Sequence, residues 1–165
     1  MEKLLNSILD RKDQVPEEEI VDGGTIDRSN HSAAKAISCT EIIAFECTAS
    51  TLDLADEDVF RDVFTFTARL AEDKVEAGYK CRKEQHCFTA SAGFMDKLQE
   101  LVTVYGFAKH NGINVCVSGL PDMYGAYLYV EYKNGECISA NHNQDSFISY
   151  EAVCDLMALF KKQDN

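Results

Sequence analysis

One stretch constrains the fold more than any other: Tyr124 to Asn143, YGAYLYVEYKNGECISANHN. Two runs rich in Tyr, Val and Ile flank Asn134-Gly135, the pattern of a β-hairpin. A two-residue loop would set Leu128 opposite Asn141 and Val130 opposite Ser139, leaving both faces mixed. A three-residue loop with Gly135 as a left-handed bulge shifts the pairing by one. Leu128 then faces Ala140, Val130 faces Ile138, and one face is apolar throughout. The other face carries Tyr127, Tyr129 and Glu131 against Asn141, Ser139 and Cys137. Register follows the need to keep one face dry, so the bulged hairpin is the expectation.

Upstream, Ile43, Phe45, Cys47 and Ala49 alternate with Ile42, Ala44, Glu46 and Thr48, as in a half-buried strand. Phe64, Phe66, Ala68 and Leu70 do the same against Thr65, Thr67 and Arg69. So do Val75, Ala77, Tyr79 and Cys81 against Glu76, Lys80 and Arg82. These three strands with short connections make an antiparallel meander. Phe94, Met95, Leu98, Leu101, Val102 and Tyr105 form a helical stripe, with Ser91 as the expected N-cap and Gly106 as the left-handed stop. A long loop follows, with a short strand at Asn114–Val117. After the hairpin comes a last helix, capped by Ser146 or Ser149 and carrying Val153, Leu156, Met157 and Phe160.

The expected fold is α+β: an antiparallel sheet of about five strands, βββ-α-ββ-α, with its helices packed on one face. Residues 37–165 form this single domain. Residues 1–36 are read as a short helix (Leu4, Leu5 and Ile8 at helical spacing) followed by an acidic linker or arm without periodicity.

Composition narrows the function classes. Net charge is −12, and residues 1–62 hold 15 acids against 6 bases (net −9) while residues 63–165 hold 13 against 10 (net −3). Such a balance opposes binding to nucleic acid or to an anionic membrane. No apolar run approaches the roughly 18 residues that span a bilayer, and the start, MEKLLNSILDRKDQ, has no secretory pattern. A cytoplasmic protein is expected. Seven cysteines, an odd number in a chain of 165 residues, read as reduced thiols packed like small hydrophobes.

From about residue 94 to 160 the chain resembles a group of small uncharacterised proteins, a domain of unknown function, from gut clostridia and related Firmicutes. The matching residues are Leu128, Val130, Glu131, Tyr132, Gly135, Ile138, Ser139 and Ala140, then Phe160, with Asn134 where the group has Asp. The resemblance implies no activity, cofactor or catalytic residue.

Three sets of residues are candidates for chemistry. Cys81, His86 and Cys87, with His110 and Cys116 further off, are the densest metal-ligand candidates, but they lack the two close pairs of a structural zinc site. Cys137 and His142 would make a thiol nucleophile and base only if they shared a face, and the bulged register separates them. The acidic run Asp53, Asp56, Glu57 and Asp58 lacks the glycine and the closing glutamate of a calcium loop and reads as a solvated turn. No metal, cofactor or catalytic residue is assigned. The expected binding residues are Met123, Tyr124, Tyr127, Tyr129, Ser139 and Asn141, a tyrosine-rich polar face suited to contact. A non-enzymatic protein-interaction domain is the leading reading, its partner another protein or a second copy in a homo-oligomer. A small acidic inhibitor or immunity-type protein for a basic partner, and a Cys/His metal or thiol-dependent protein, are the alternatives.

Overall fold

The computed structural model describes residues 24–54 and 60–162. The short helix expected over residues 3–10, and most of the acidic turn, lie outside the described residues. In chain order the elements are β1 (Thr25–Asp27), β2 (Ile42–Ser50), β3 (Val63–Ala71), β4 (Lys74–Lys80), β5 (Gln85–Ser91) and α1 (Gly93–Val104). A 3₁₀ turn (Phe107–His110), β6 (Asn114–Val117), β7 (Ala126–Tyr132), β8 (Cys137–His142) and α2 (Tyr150–Lys161) follow.

The class is α+β, and the strand count is corrected. Eight strands form one sheet in the order β1-β6-β8-β7-β2-β3-β4-β5. The sheet is mixed: β6 runs parallel to β8, and every other neighbour is antiparallel. β7 has β2 on its far side, so β6 can only join the free edge of β8, and the loop Ser118–Gly125 carries the chain back past it.

The hairpin has the bulged register. Leu128 pairs with Ala140, Val130 with Ile138, Tyr129 with Ser139 and Tyr127 with Asn141. Gly135 sits at φ +87°, in the left-handed region that a side chain resists. Leu128, Val130, Ile138 and Ala140 are buried on the face that carries the helices. The same face continues through Phe45, Cys47 and Ala49 of β2, Phe64, Phe66 and Ala68 of β3, and Val75, Ala77 and Tyr79 of β4. In β2 the alternation breaks at a bulge between Ile42 and Ala44, so Ile42, not Ile43, joins the core opposite Tyr132.

Both helices cover this one face. Phe160 of α2 is the pivot, its ring 5.2 Å from Phe66, 5.1 Å from Phe94 and 6.0 Å from Phe88. Ser149 caps α2, its Oγ accepting from the Ala152 N–H at 3.2 Å. Gly106 terminates α1 at φ +62°. Ser91, however, is not the cap of α1: it pairs with Lys74 in the sheet, and Ala92 holds the N-cap position without a side-chain bond.

Residues 24–36 lack an apolar face, but backbone bonds hold them on the sheet edge. The Arg28 N–H donates to Asn114 O at 2.8 Å and the Asn30 N–H to Gly112 O at 2.7 Å. Asn111 is the lock. Its buried amide donates to Ala34 O (2.9 Å) and Cys137 O (3.2 Å) and accepts from the Ser139 N–H (2.9 Å), filling the β8 edge where β6 has not yet begun. Glu136 holds the next segment, accepting from Ser38 Oγ at 2.8 Å and from the Cys39 N–H at 2.9 Å. Hydrogen bonds from Asn134 and then Ser38 bring its carboxyl down to about 2.

Two sets of variants test this architecture by equilibrium denaturation. Val130→Asp buries an unpaired charge and should cost about 3 kcal/mol or more. Gly135→Val should cost about 1 kcal/mol, from backbone strain alone, because a Cβ there meets nothing within 4 Å. Ser139→Asp, on the opposite face, should be nearly neutral. Asn111→Ala leaves several backbone groups without partners and should cost about 2–3 kcal/mol, with faster proteolysis of residues 24–36. Unchanged proteolysis there would show that Asn111 does not hold the segment.

Candidate functional site

With both helices on one side, the other face of the sheet is not covered by any described helix or strand. The pairing registers align its side chains in rows across the strands. One row runs Asn141, Tyr127, Thr48, Thr65, Lys80, Gln85. The next runs Ser139, Tyr129, Glu46, Thr67, Gly78, Cys87, and the third Cys137, Glu131, Ala44, Arg69, Glu76, Thr89. Most of the second and third rows, from Tyr129 and Glu131 to Cys87 and Thr89, line a trough of about 800 Å³. Gly78 is required at its base, since a Cβ there would stand 2.7 Å from the His86 carbonyl oxygen.

Four of the expected binding residues, Tyr127, Tyr129, Ser139 and Asn141, share the open face, and of these Tyr129 lines the trough. Met123, 45% exposed, joins Tyr127 and Asn141 around a smaller hollow of about 240 Å³ at the end of the same face. Tyr124, half-buried in the turn before β7, lines neither hollow. The residues missed are those of β2 to β5, above all Glu46, Thr67, Arg69 and Glu76. Their alternation with core positions was visible, but their alignment with the hairpin was not.

The electrostatics are uneven. Glu46 and Glu131 stand beside the tyrosines, whereas the bases Arg69 and Lys80 stand on β3 and β4. Burial, then Glu46, raises the Tyr127 pKa; burial, then Glu131, raises that of Tyr129. Both phenols therefore remain protonated donors at neutral pH, and Tyr129 Oη reaches Glu131 Oε2 at 3.4 Å. Thr48 and Thr65 bridge their strands through hydroxyls 3.2 Å apart.

The other candidate residues do not converge. In β5, Cys87 lies on the open face while His86 lies on the helix side, its ring 6.0 Å from Tyr79 and 6.2 Å from Phe88. Cys81 is buried and Cys116 exposed. His110 stacks 5.0 Å from Phe147, and burial lowers its pKa. Among the described residues, no group of three or more His, Cys, Asp or Glu is arranged to hold a metal ion. Cys137 faces Glu131, and His142 lies opposite Ala126 with its Nδ1 accepting from the Gln144 and Asp145 N–H groups.

The cysteines are unpaired, but their burial is corrected. Cys47 and Cys81 are buried and Cys39 is half-buried, while Cys87, Cys116, Cys137 and Cys154 are exposed. A period of two sends Cys87 and Cys137 to the open face, and Cys154 lies on the outer side of α2. Burial pushes the Cys47 thiol up to about 12. Titration of native protein with a thiol reagent should therefore modify the four exposed cysteines quickly, with Cys47 and Cys81 reacting only after denaturation. Rapid native labelling of Cys47 would contradict the packing of β2.

No protein-family model matches the chain, and neither a curated protein nor a solved structure is significantly similar to it. No described helix is long and apolar enough to cross a membrane.

Proposed function

We propose that the chain is a cytoplasmic, non-enzymatic protein-interaction domain whose open sheet face receives a segment of another protein bearing Arg or Lys beside an apolar or aromatic residue. One observation carries this reading: Tyr127 and Tyr129 stand half-buried on a face that no described element covers, flanked by Glu46 and Glu131. A protonated phenol offers apolar area and a hydrogen-bond donor at little entropic cost, and its ring attracts a guanidinium or ammonium group. The two carboxylates supply the counter-charge. Seven unpaired thiols, four of them exposed, fit a reducing compartment.

The net charge of −9 over residues 1–62 favours one narrower form of this reading, an inhibitor or immunity-type protein for a basic partner. In that form association is steered at long range and slows steeply as salt rises. In the broader form only the local Arg or Lys contact with Glu46 and Glu131 is screened, so salt weakens binding modestly.

Selection of displayed random peptides on the immobilised protein, followed by calorimetry, tests the proposal. Enriched peptides should place Arg or Lys next to an aromatic or aliphatic residue. Tyr129→Ala and Glu131→Lys should each weaken binding by about tenfold or more, or ~1.4 kcal/mol, while Lys80→Glu leaves it unchanged or tighter. Enrichment of acidic peptides, or binding indifferent to both hairpin variants, would sink the reading.

A further inference from the structure

The two edges of the sheet are built differently. Natural proteins protect a free strand edge by shortening it, by placing charge or proline on it, or by bulging it. β1 has such protection: it is three residues long and ends in Asp27. β5 has none. Its seven residues, Gln-His-Cys-Phe-Thr-Ala-Ser, contain no Asp, Glu, Lys, Arg, Pro or Gly, in a chain that is 27% charged. All seven pair with β4 in one unbroken register, and no other described strand pairs with β5.

The hydrogen-bond phase of that edge follows from the turn before it. The Cys81 N–H donates to Glu84 O at 2.8 Å, and these residues face each other in the same register as the β4–β5 ladder, so they are a hydrogen-bonded pair. Such pairs alternate in an antiparallel ladder. His86, Phe88 and Ala90 therefore turn their backbone groups toward β4, and Gln85, Cys87, Thr89 and Ser91 turn theirs outward.

We propose that the chain forms a dimer with a second copy of itself, the two β5 edges pairing antiparallel about a two-fold axis at Phe88. In this register Gln85 meets Ser91 and Cys87 meets Thr89, so all four outward residues of each strand find partners. A shift of two residues either way leaves some of them unpaired. Phe88 then faces its own copy in a non-hydrogen-bonded pair, where side chains approach most closely. Its ring is half-buried on the helix side, 5.6 Å from Phe94. The open faces of the two copies become one surface. A second copy is favoured as occupant because the strand is self-complementary: its polar side meets a polar side, its aromatic side an aromatic one, and no like charges oppose. The dimer does not depend on the partner proposed for the open face.

Sedimentation equilibrium on the full chain, with reductant present, tests this. A monomer–dimer equilibrium is expected. Its Kd should fall several-fold as ionic strength rises from ~0.02 to ~0.3 M, because two copies of charge −12 repel while the contact holds no ion pair. Thr89→Pro removes an outward N–H without touching the β4 ladder. It should weaken the dimer by about tenfold or more while leaving circular dichroism unchanged. Should that variant misfold, Cys87→Lys/Thr89→Lys replaces two exposed side chains, sets lysine against lysine across the axis and should be monomeric. Isotope-filtered NOEs between the Hα atoms of His86 in one copy and Ala90 in the other would fix the register. A wild type that stays monomeric at every concentration, a dimer indifferent to the folded variants, or a dimer that weakens with salt would each overturn the proposal.

Discussion

The pairing of β2 with β7 is the contact on which the rest of the structure depends. It joins two blocks that are each local in sequence, the meander β2–β5 with α1 and the segment β6–β8 with α2. Across the seam Phe45 faces Val130, Cys47 faces Leu128 and Ala49 faces Ala126. That register makes the dry face continuous, and only a continuous face gives both helices a floor. A slip of one residue would turn Glu46 and Thr48 under the helices, so the apolar pattern itself excludes it. The bulge at Ile43 serves the same end, letting Ile42 stay in the core opposite Tyr132. Once the seam forms, Phe160 of the last helix closes over Phe66, Phe88 and Phe94, which come from three separate elements.

What was legible in the chain was what two neighbouring segments decide between themselves. The hairpin register could be read because its wrong alternative wets Leu128 and Val130. The stripes of both helices were legible for the same reason. β5 was not, because its inward residues are His86, Phe88 and Ala90, a weak apolar signal whose meaning comes from β4 beside it. β1 has no core residue at all; Thr25, Ile26 and Asp27 are exposed, and backbone bonds to β6 place them. Propensity favoured Ser91 as a cap, but the sheet ladder claimed it first.

The candidate site divides in the same way. Tyr127, Tyr129, Ser139 and Asn141 could be placed together from the hairpin alone. The width of the face could not, since Glu46, Thr67, Arg69 and Glu76 reach it only through the seam and the meander. Nor could its full polarity: Glu131 lies on the hairpin itself, but Glu46, Arg69 and Lys80 come from strands distant in sequence.

The geometry of the layers explains why this molecule has an open face and unequal edges. Eight strands at about 4.8 Å spacing give a sheet nearly 40 Å wide, while two helices about 10 Å across cover roughly half that width on one side. They settle over β2 to β5, against Phe66, Val75 and Phe88. The strands beyond must be held otherwise. Phe107 of the 3₁₀ turn packs near β8, and the outer edge through β6 and β1 relies on Asn111 and a run of backbone bonds. One end of the sheet is therefore fastened by hydrogen bonds to a short, charged strand, whereas the other ends at a full-length neutral strand under the helix layer. Among the described residues no helix is left to cover the second face. It must tolerate water while offering contact area, and threonines, paired charges and two tyrosines meet both demands.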